Sequence, residues 1–278
     1  MNDAALRLSV GDMRKISTLV YANSGICLRS SKRALVMARL QKRLRQGGFR
    51  SFGDYLVYLE RDQSGRELTT MLDAISTNQT RFFREPAHFQ WLGNRVLPAL
   101  MARPGAPPIA GWSAACSTGD ETYSIVLTLL DRVPVAHHHR IRLLGSDLST
   151  EALRVAQAGV YPLERVSDLP RSTLRRYFER GIGEQDGLAR INRRVRSLIE
   201  FRRLNLIQID NLGRRFDFIF CCNAMIYFDR EARQRVISML ERHLVPGGHL
   251  FVSQTEALSE IDHRLRWCAP GVYQRSGA

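Results

Sequence analysis

Three carboxylates and a run of small residues carry most of the chemistry visible in this chain. In WSAACSTGDETYS (112–124) an apolar run passes into Ser113, Ala114, Ala115, Ser117 and Gly119, then into Asp120 and Glu121. Small side chains at a strand-to-helix turn let backbone N–H groups and a helix N-terminus come close to a ligand. The turn is neither GxGxxG nor GxxxxGK[ST], so the nicotinamide or flavin fingerprint and the P-loop are both absent. The two acids would repel a pyrophosphate but suit a ligand with an amino group or a sulfonium centre. Asp147 ends the next apolar run, IRLLGSD (141–147), where a carboxylate can accept both ribose hydroxyls of a nucleoside. It could equally belong to a helix cap, since Leu148-Ser149-Thr150 follows, and a tight strand–helix connection alone would explain the first turn. Together the two features favour an adenosine-containing ligand.

The elements that must position these groups follow from periodicity. Residues 1–90 read as helical, with apolar residues at three- and four-residue spacing such as Leu56, Leu59, Leu68, Leu72 and Ile75. Gly47-Gly48 ends one helix, and Ser51 caps the next with Asp54 in the box position. After the Pro104–Pro108 loop the pattern changes. Strands at 109–116, 141–147, 216–223 and 249–254 alternate with helices at Thr122–Leu130, from Ser149, and at 230–243, the last strand following a Pro246-Gly247-Gly248 turn. Nearly continuous apolar strands alternating with helices predict an α/β fold with a buried, mostly parallel sheet. The alternation lapses between Tyr161 and Phe201, where charge and Gly181, Gly183 and Gly187 concentrate; this reads as a small antiparallel insertion or a long surface loop.

The chain has 278 residues, with 41 Lys and Arg against 27 Asp and Glu, a net charge of +14. Such an excess predicts an acidic partner. No run of about 18 apolar residues exists to cross a membrane, and MNDAALRLSV lacks the pattern of a secretory signal. Five cysteines without regular spacing argue against a disulfide framework and for a reduced, cytoplasmic setting. Cys221 and Cys222 point to opposite faces of a strand, and the other cysteines read as core, Cys116 in the ligand loop set apart. Trp91 reads as core. His137-His138-His139 are too close in sequence to converge on one ion, so no metal is expected.

TNQTRFFREPAHF (77–89), WSAACSTGDETYSI (112–125), Asn205-Leu206, FDFIFCCNAMIYFD (216–229) and LVPGGHLFVSQTEAL (244–258) occur in an order and spacing that resemble the CheR family, the chemotaxis receptor glutamate methyltransferases. The resemblance runs from about Gly25 to Tyr273. It implies a Rossmann-like class I methyltransferase sheet, an N-terminal all-α domain (1–90) that docks substrate, and a methyltransferase domain (91–278) with an inserted antiparallel β-subdomain at about 161–201. It implies S-adenosylmethionine as cofactor, S-adenosylhomocysteine as product, and glutamyl side chains on the cytoplasmic helical region of chemoreceptors as acceptors. Carried over by motif, Asn78, Thr80, Arg84, Glu121, Asp147, Asn205, Leu206, Asn223 and Ala224 hold the cofactor. Arg84 meets the cofactor carboxylate, and Tyr227 lines the transfer site. The family usually has Glu-Glu-Pro where this chain has Asp120-Glu121-Thr122, and Arg where it has Cys222.

The transfer itself needs no general base, because a glutamate with a reference pKa of about 4.3 is ionised at pH 7. The NAMIY sequence at 223–227 lacks the Asn/Asp-Pro-Pro-aromatic turn of enzymes that methylate base or amide nitrogens. From Arg29 to Arg50 there are eight basic residues and no acidic one. Val36, Met37, Leu40 and Leu44 share one arc of a helix, and Arg39, Lys42, Arg43 and Arg45 occupy the rest, a basic face suited to an acidic partner. By resemblance that partner is the receptor helix; interleaved aromatics for nucleic acid are missing. FERGIGEQDGLARINRRV resembles the subdomain to which a receptor's C-terminal pentapeptide adds a strand. A monomer is the family-like expectation. The other readings are a non-catalytic S-adenosylmethionine-binding signalling adaptor, and a methyltransferase for another acidic protein or structured RNA.

Overall fold

The computed structural model describes residues 6–105 and 107–277. The N-terminal part is helical: α1 (Val10–Ser24), α2 (Arg33–Gly47), α3 (Phe52–Arg61) and α4 (Arg66–Ile75). Local signals set their ends. Ser9 and Ser51 accept the Asp12 and Asp54 N–H groups at 3.0 Å, and Gly48 ends α2 in the left-handed region. Val36, Leu40 and Leu44 are buried with Tyr55, Met71 and Leu72 in one core, as the arc on α2 predicts. The rest of α2 is not all free for a partner. Arg43 makes a two-pronged pair with the buried Glu67 at 2.7 and 2.5 Å. Arg39 donates to the carbonyls of Ile75 and Ser76 and to Thr77 Oγ1, tying down the end of α4. Lys42 and Arg45 are exposed. The basic face expected from spacing is thus partly internal, because a guanidinium long enough to reach a neighbouring helix satisfies acids and carbonyls there.

Helices α5 (Pro86–Trp91) and α6 (Leu97–Met101) flank a π-helical stretch, Leu92–Val96. Trp91 is partly buried against the adjoining core. Then come β1 (Ile109–Ala114), α7 (Asp120–Arg132), β2 (Ile141–Asp147) and α8 (Thr150–Ala158). The insertion follows: β3 (Val160–Pro162), α9 (Leu163–Val166), α10 (Arg171–Tyr177), β4 (Phe178–Arg180) and β5 (Leu188–Ile191), its three strands forming a separate antiparallel sheet in the order β3-β5-β4. After α11 (Arg193–Arg196) the chain returns as β6 (Ile199–Arg203), β7 (Phe216–Cys221), α12 (Arg230–His243), β8 (Leu244–Val252), β9 (Leu265–Ala269) and β10 (Val272–Arg275).

The main sheet runs β6-β2-β1-β7-β8-β10-β9. The first five strands are parallel, and β10 pairs antiparallel with both β8 and β9, so β10 alone runs against the other strands of this sheet. Phe218 and Phe220 pack on one face with α7, and Ile219 and Cys221 on the other with α12. Cys221 and Cys222 fall to opposite faces, as expected. The chain order reverses direction between β1 and β7, the place where open α/β sheets bind ligands.

Three strands of this sheet are not legible as apolar runs. β6 has an intermediate or exposed residue at every position, and β9 and β10 form an edge hairpin, so none needs a continuous apolar sequence. The insertion expected at 161–201 accordingly yields its last residues, from Ile199, to the main sheet. Pro246-Gly247-Gly248 is a bulge inside β8 and not a turn before it. Phe216 faces Leu244 but Phe218 faces His249, so the extra residues loop out with Gly247 at φ +77°.

Candidate active site at the carboxyl ends of the strands

A cavity of about 430 Å³ opens where β1, β2, β6 and β7 end. Its wall includes every residue assigned to the cofactor by motif: Asn78, Thr80, Arg84, Glu121, Asp147, Asn205, Leu206, Asn223 and Ala224, together with Tyr227. Of the four basic residues assigned to docking, Arg39 alone lines it. The helical domain also contributes Cys27, Lys32 and Leu35, which the sequence did not single out for this cavity. Cys27 is exposed, contrary to its reading as core. The reason is local: its N–H donates to the Tyr227 carbonyl at 2.8 Å and Ile26 bridges Phe228, an extended pairing that leaves the Cys27 side chain outside.

The loop after β1 is held in an unusual shape. Ala115 and Ser117 have φ of +61° and +51°, and Asn223 at the end of β7 has +59°. Left-handed backbone in residues with a Cβ costs about 1 kcal/mol each and clusters at functional sites. Gly119, at φ +90°, opens α7 where an added Cβ would lie 2.9 Å from Ala156 Cβ. Asp147 fastens this loop: Oδ2 accepts the Ser117 N–H at 2.7 Å and Oδ1 the Ser149 N–H at 2.8 Å. The helix-cap reading of Asp147 holds, and it leaves room for the ribose reading. The carboxylate orders the cap region, where Ser149 is the N-cap of α8, and its remaining lone pairs suit ribose hydroxyls. Burial pushes its pKa up, against the three backbone N–H groups that pull it down.

Glu121 accepts from Ser113 Oγ at 2.8 Å and from the Cys222 thiol. Burial pushes its pKa up to about 7; those two hydrogen bonds oppose the shift, and Glu85 and Glu256 add to it. An enclosed acid poised near neutrality suits a cationic amino group that would hold it ionised. Asn205 is more structural than expected, its amide donating to the Asn23 carbonyl at 2.6 Å and joining the two domains at the cavity wall. Arg84 is exposed, its guanidinium 3.2 Å from the Gln79 carbonyl, and it follows Phe83 at φ +49°.

Asp120 plays a different part from its neighbour. It is fully buried and held by Arg165 of α9 at 2.7 and 3.0 Å, and Arg165 also reaches Thr118 Oγ1 at 2.7 Å. The shortened carboxylate thus anchors the inserted subdomain to the loop after β1. Asp120→Ala is expected to lower the unfolding free energy by about 3 kcal/mol, because one partner of a buried pair loses its counter-ion. Chemical denaturation of Asp120→Ala, Arg165→Met and the double variant checks this; the double should lose clearly less than the two singles together.

His138 is buried between the Val133 carbonyl (2.7 Å) and the Arg194 guanidinium (2.8 Å), a packing role. Among the described residues no group of three His, Cys, Asp or Glu side chains is arranged to hold a metal, and no helix is long and apolar enough to cross a membrane.

Counted along the main sheet alone, the strand order is 3-2-1-4-5-7-6, with acids after strands 1 and 2 and a cavity at the reversal. This is the architecture of a Rossmann-like, class I S-adenosylmethionine-dependent methyltransferase carrying a helical domain and an inserted β-subdomain. The family model for the CheR methyltransferase SAM-binding domain matches residues 78–272, and that for the CheR methyltransferase all-alpha domain matches 11–76. The chain belongs to the CheR methyltransferase family, and its cofactor is S-adenosylmethionine. It is 38% identical over 272 residues to the chemotaxis protein methyltransferase of Escherichia coli (strain K12), covering 98% of this chain and 93% of that one. The chemotaxis protein methyltransferase of Klebsiella aerogenes is 39% identical over 269 residues, covering 96% and 90%. Chemotaxis protein methyltransferase 2 of Pseudomonas aeruginosa is 36% identical over 263 residues, covering 94% and 92%.

Proposed function

We propose that the chain transfers the methyl group of S-adenosylmethionine to glutamate side chains of chemoreceptors, forming glutamyl methyl esters in chemotactic adaptation. The observation that carries this reading is the convergence of Arg84, Glu121, Asp147, Asn223 and Tyr227 on one cavity that the helical domain's Lys32 and Arg39 also line. Glu121 would face the cofactor's amino group, Asp147 its ribose, and Arg84 its carboxylate, for which a planar guanidinium is suited. Bound there, the cofactor supplies an electrophilic methyl on a sulfonium. The acceptor carboxylate needs alignment and exclusion of water, not deprotonation. The Tyr227 hydroxyl orients it, and the cations at the cavity attract it.

The exposed Lys42 and Arg45 of α2 extend the basic surface toward an acidic receptor helix. β4 is an edge strand of the small sheet, and to such an edge a receptor's C-terminal peptide can add a strand. On this reading the enzyme works in the cytoplasm as a monomer.

The test uses methyl-labelled S-adenosylmethionine and receptor-containing membranes, scored as methanol released by mild alkali. Wild-type chain should give alkali-labile label, and Arg84→Ala should reduce it about a hundred-fold, since a misoriented donor loses in-line geometry. Alkali-stable label would move the acceptor to a nitrogen or a ribose hydroxyl. Cofactor binding with no label would leave an adaptor.

A further inference from the structure

Glu256 lies just beyond β8, only 2% exposed, within the LVPGGHLFVSQTEAL motif but with no role assigned to it from the sequence. Its carboxylate accepts four backbone N–H groups. Asn223 (2.7 Å) and Ser253 (3.2 Å) donate to Oε2; Met225 (2.7 Å) and Ile226 (3.0 Å) donate to Oε1. Three of the four donors belong to one short turn, the link from β7 to α12. That turn brings Asn223, Ala224 and Tyr227 to the cavity wall.

Beyond Glu256, the turn is tied mainly at its far end, where the Cys27 N–H meets the Tyr227 carbonyl at 2.8 Å. Asn223 stands at φ +59°, and Met225–Tyr227 is a single 3-10 turn closed by the Phe228 N–H on the Met225 carbonyl at 3.0 Å. Backbone donors at 223, 225 and 226 would face the interior unpaired without an acceptor, and a short turn cannot supply one itself. A carboxylate matches the need, because its two oxygens take four donors and it presents no hydrogen of its own. A glutamine of the same size would offer one oxygen and set its NH₂ against two N–H groups.

We propose that Glu256 is a positioning residue for methyl transfer: it holds the 223–227 turn in the strained form that presents Asn223 and Ala224 to the cofactor and Tyr227 to the acceptor. This rests on the roles given to those three residues above. Glu256 touches neither reactant in this scheme; it acts through the turn, and its charge also opposes ionisation of Glu121.

Glu256→Gln and Glu256→Asp test it, the first keeping size and the second keeping charge on a stem one methylene shorter. Both are measured well below the midpoint of unfolding, with circular dichroism reporting the folded fraction. At saturating cofactor and receptor, kcat per folded molecule of Glu256→Gln should fall about a hundred-fold, the order expected when reacting groups shift by an ångström. Its Kd for S-adenosylhomocysteine should rise about tenfold, while the KM for receptor stays within about threefold. Hydrogen exchange at the amides of Asn223, Met225 and Ile226 should quicken at least about tenfold while Phe218–Phe220 of β7 keep their protection. A lower melting temperature with unchanged kcat and Kd would mean a purely structural role and overturn the proposal. If Glu256→Gln does not fold, the same readings on Glu256→Asp decide it. If the wild-type chain itself transfers no methyl, the proposed function falls; S-adenosylhomocysteine affinity and amide exchange then decide whether Glu256 orders the cofactor wall.

Discussion

An Asp147→Asn protein is expected to bind S-adenosylhomocysteine about a hundred-fold more weakly than the wild-type chain, with little change in its far-ultraviolet circular dichroism. Two losses combine. The wild-type carboxylate accepts the Ser117 N–H at 2.7 Å and the Ser149 N–H at 2.8 Å, and asparagine can accept only one of them. The amide NH₂ must then face either Ser117, releasing a residue at φ +51° in the cofactor loop, or Ser149, releasing the cap of α8. The same substitution removes the charge that would strengthen hydrogen bonds from two ribose hydroxyls, each worth about 1.5–3 kcal/mol to an ionised acceptor. Titration calorimetry with S-adenosylhomocysteine measures the loss. Asp147→Ala should be at least as weak. Retention of affinity within about threefold in either variant would mean that Asp147 serves the cap of α8 and not the ribose.

How much of this was legible beforehand depends on the kind of signal. Strands buried on both faces, such as FDFIFC, announce themselves because each residue must be apolar. The strand IEFRR does not, since it is an edge strand with exposed positions. The residues assigned to the cofactor by motif were reachable because they sit at fixed places relative to strand ends or inside contiguous motifs, and the structure gathers all of them around one cavity. Side chains whose partners are far away in sequence were not reachable. Arg43 meets Glu67, Arg165 meets Asp120, and Glu256 meets the 223–226 turn, and neither charge nor periodicity encodes those pairings. A count of basic residues on α2 therefore overstates the free basic surface. A solvated arginine and one holding a buried carboxylate look the same in sequence.

The second large effect concerns pH. Affinity for S-adenosylmethionine is expected to fall about tenfold per pH unit below about 7, because Glu121 is then protonated in the free protein and must lose that proton to pair with the cofactor's ammonium. The sign follows from the direction of the shift. Burial raises Glu121 from an ordinary carboxylate to about 7, and binding a cation restores the carboxylate, so acid competes with the ligand. By the same linkage the ligand-free fold loses stability as pH rises from about 4.5 to about 7, since the native state holds the proton more tightly than the unfolded chain. Above about 8 the cofactor's own amino group, with an ordinary pKa of about 7.7–8.0, begins to lose its charge, so affinity should peak near neutrality. The groups facing Glu121 are Ser113 and Cys222, which stabilise its ionised form, and Glu85 and Glu256, which oppose it. None of these supplies a positive charge, and Cys222 stands where the family usually has arginine. Cys222→Arg should place a guanidinium beside Glu121, lower its pKa and move the acid limb of the binding curve to lower pH. Glu121→Gln should bind weakly and without an acid limb. Calorimetry from pH 5.5 to 8.5 reads all three, and a flat wild-type curve between about pH 6 and 7 would assign the cofactor's amino group to some other partner.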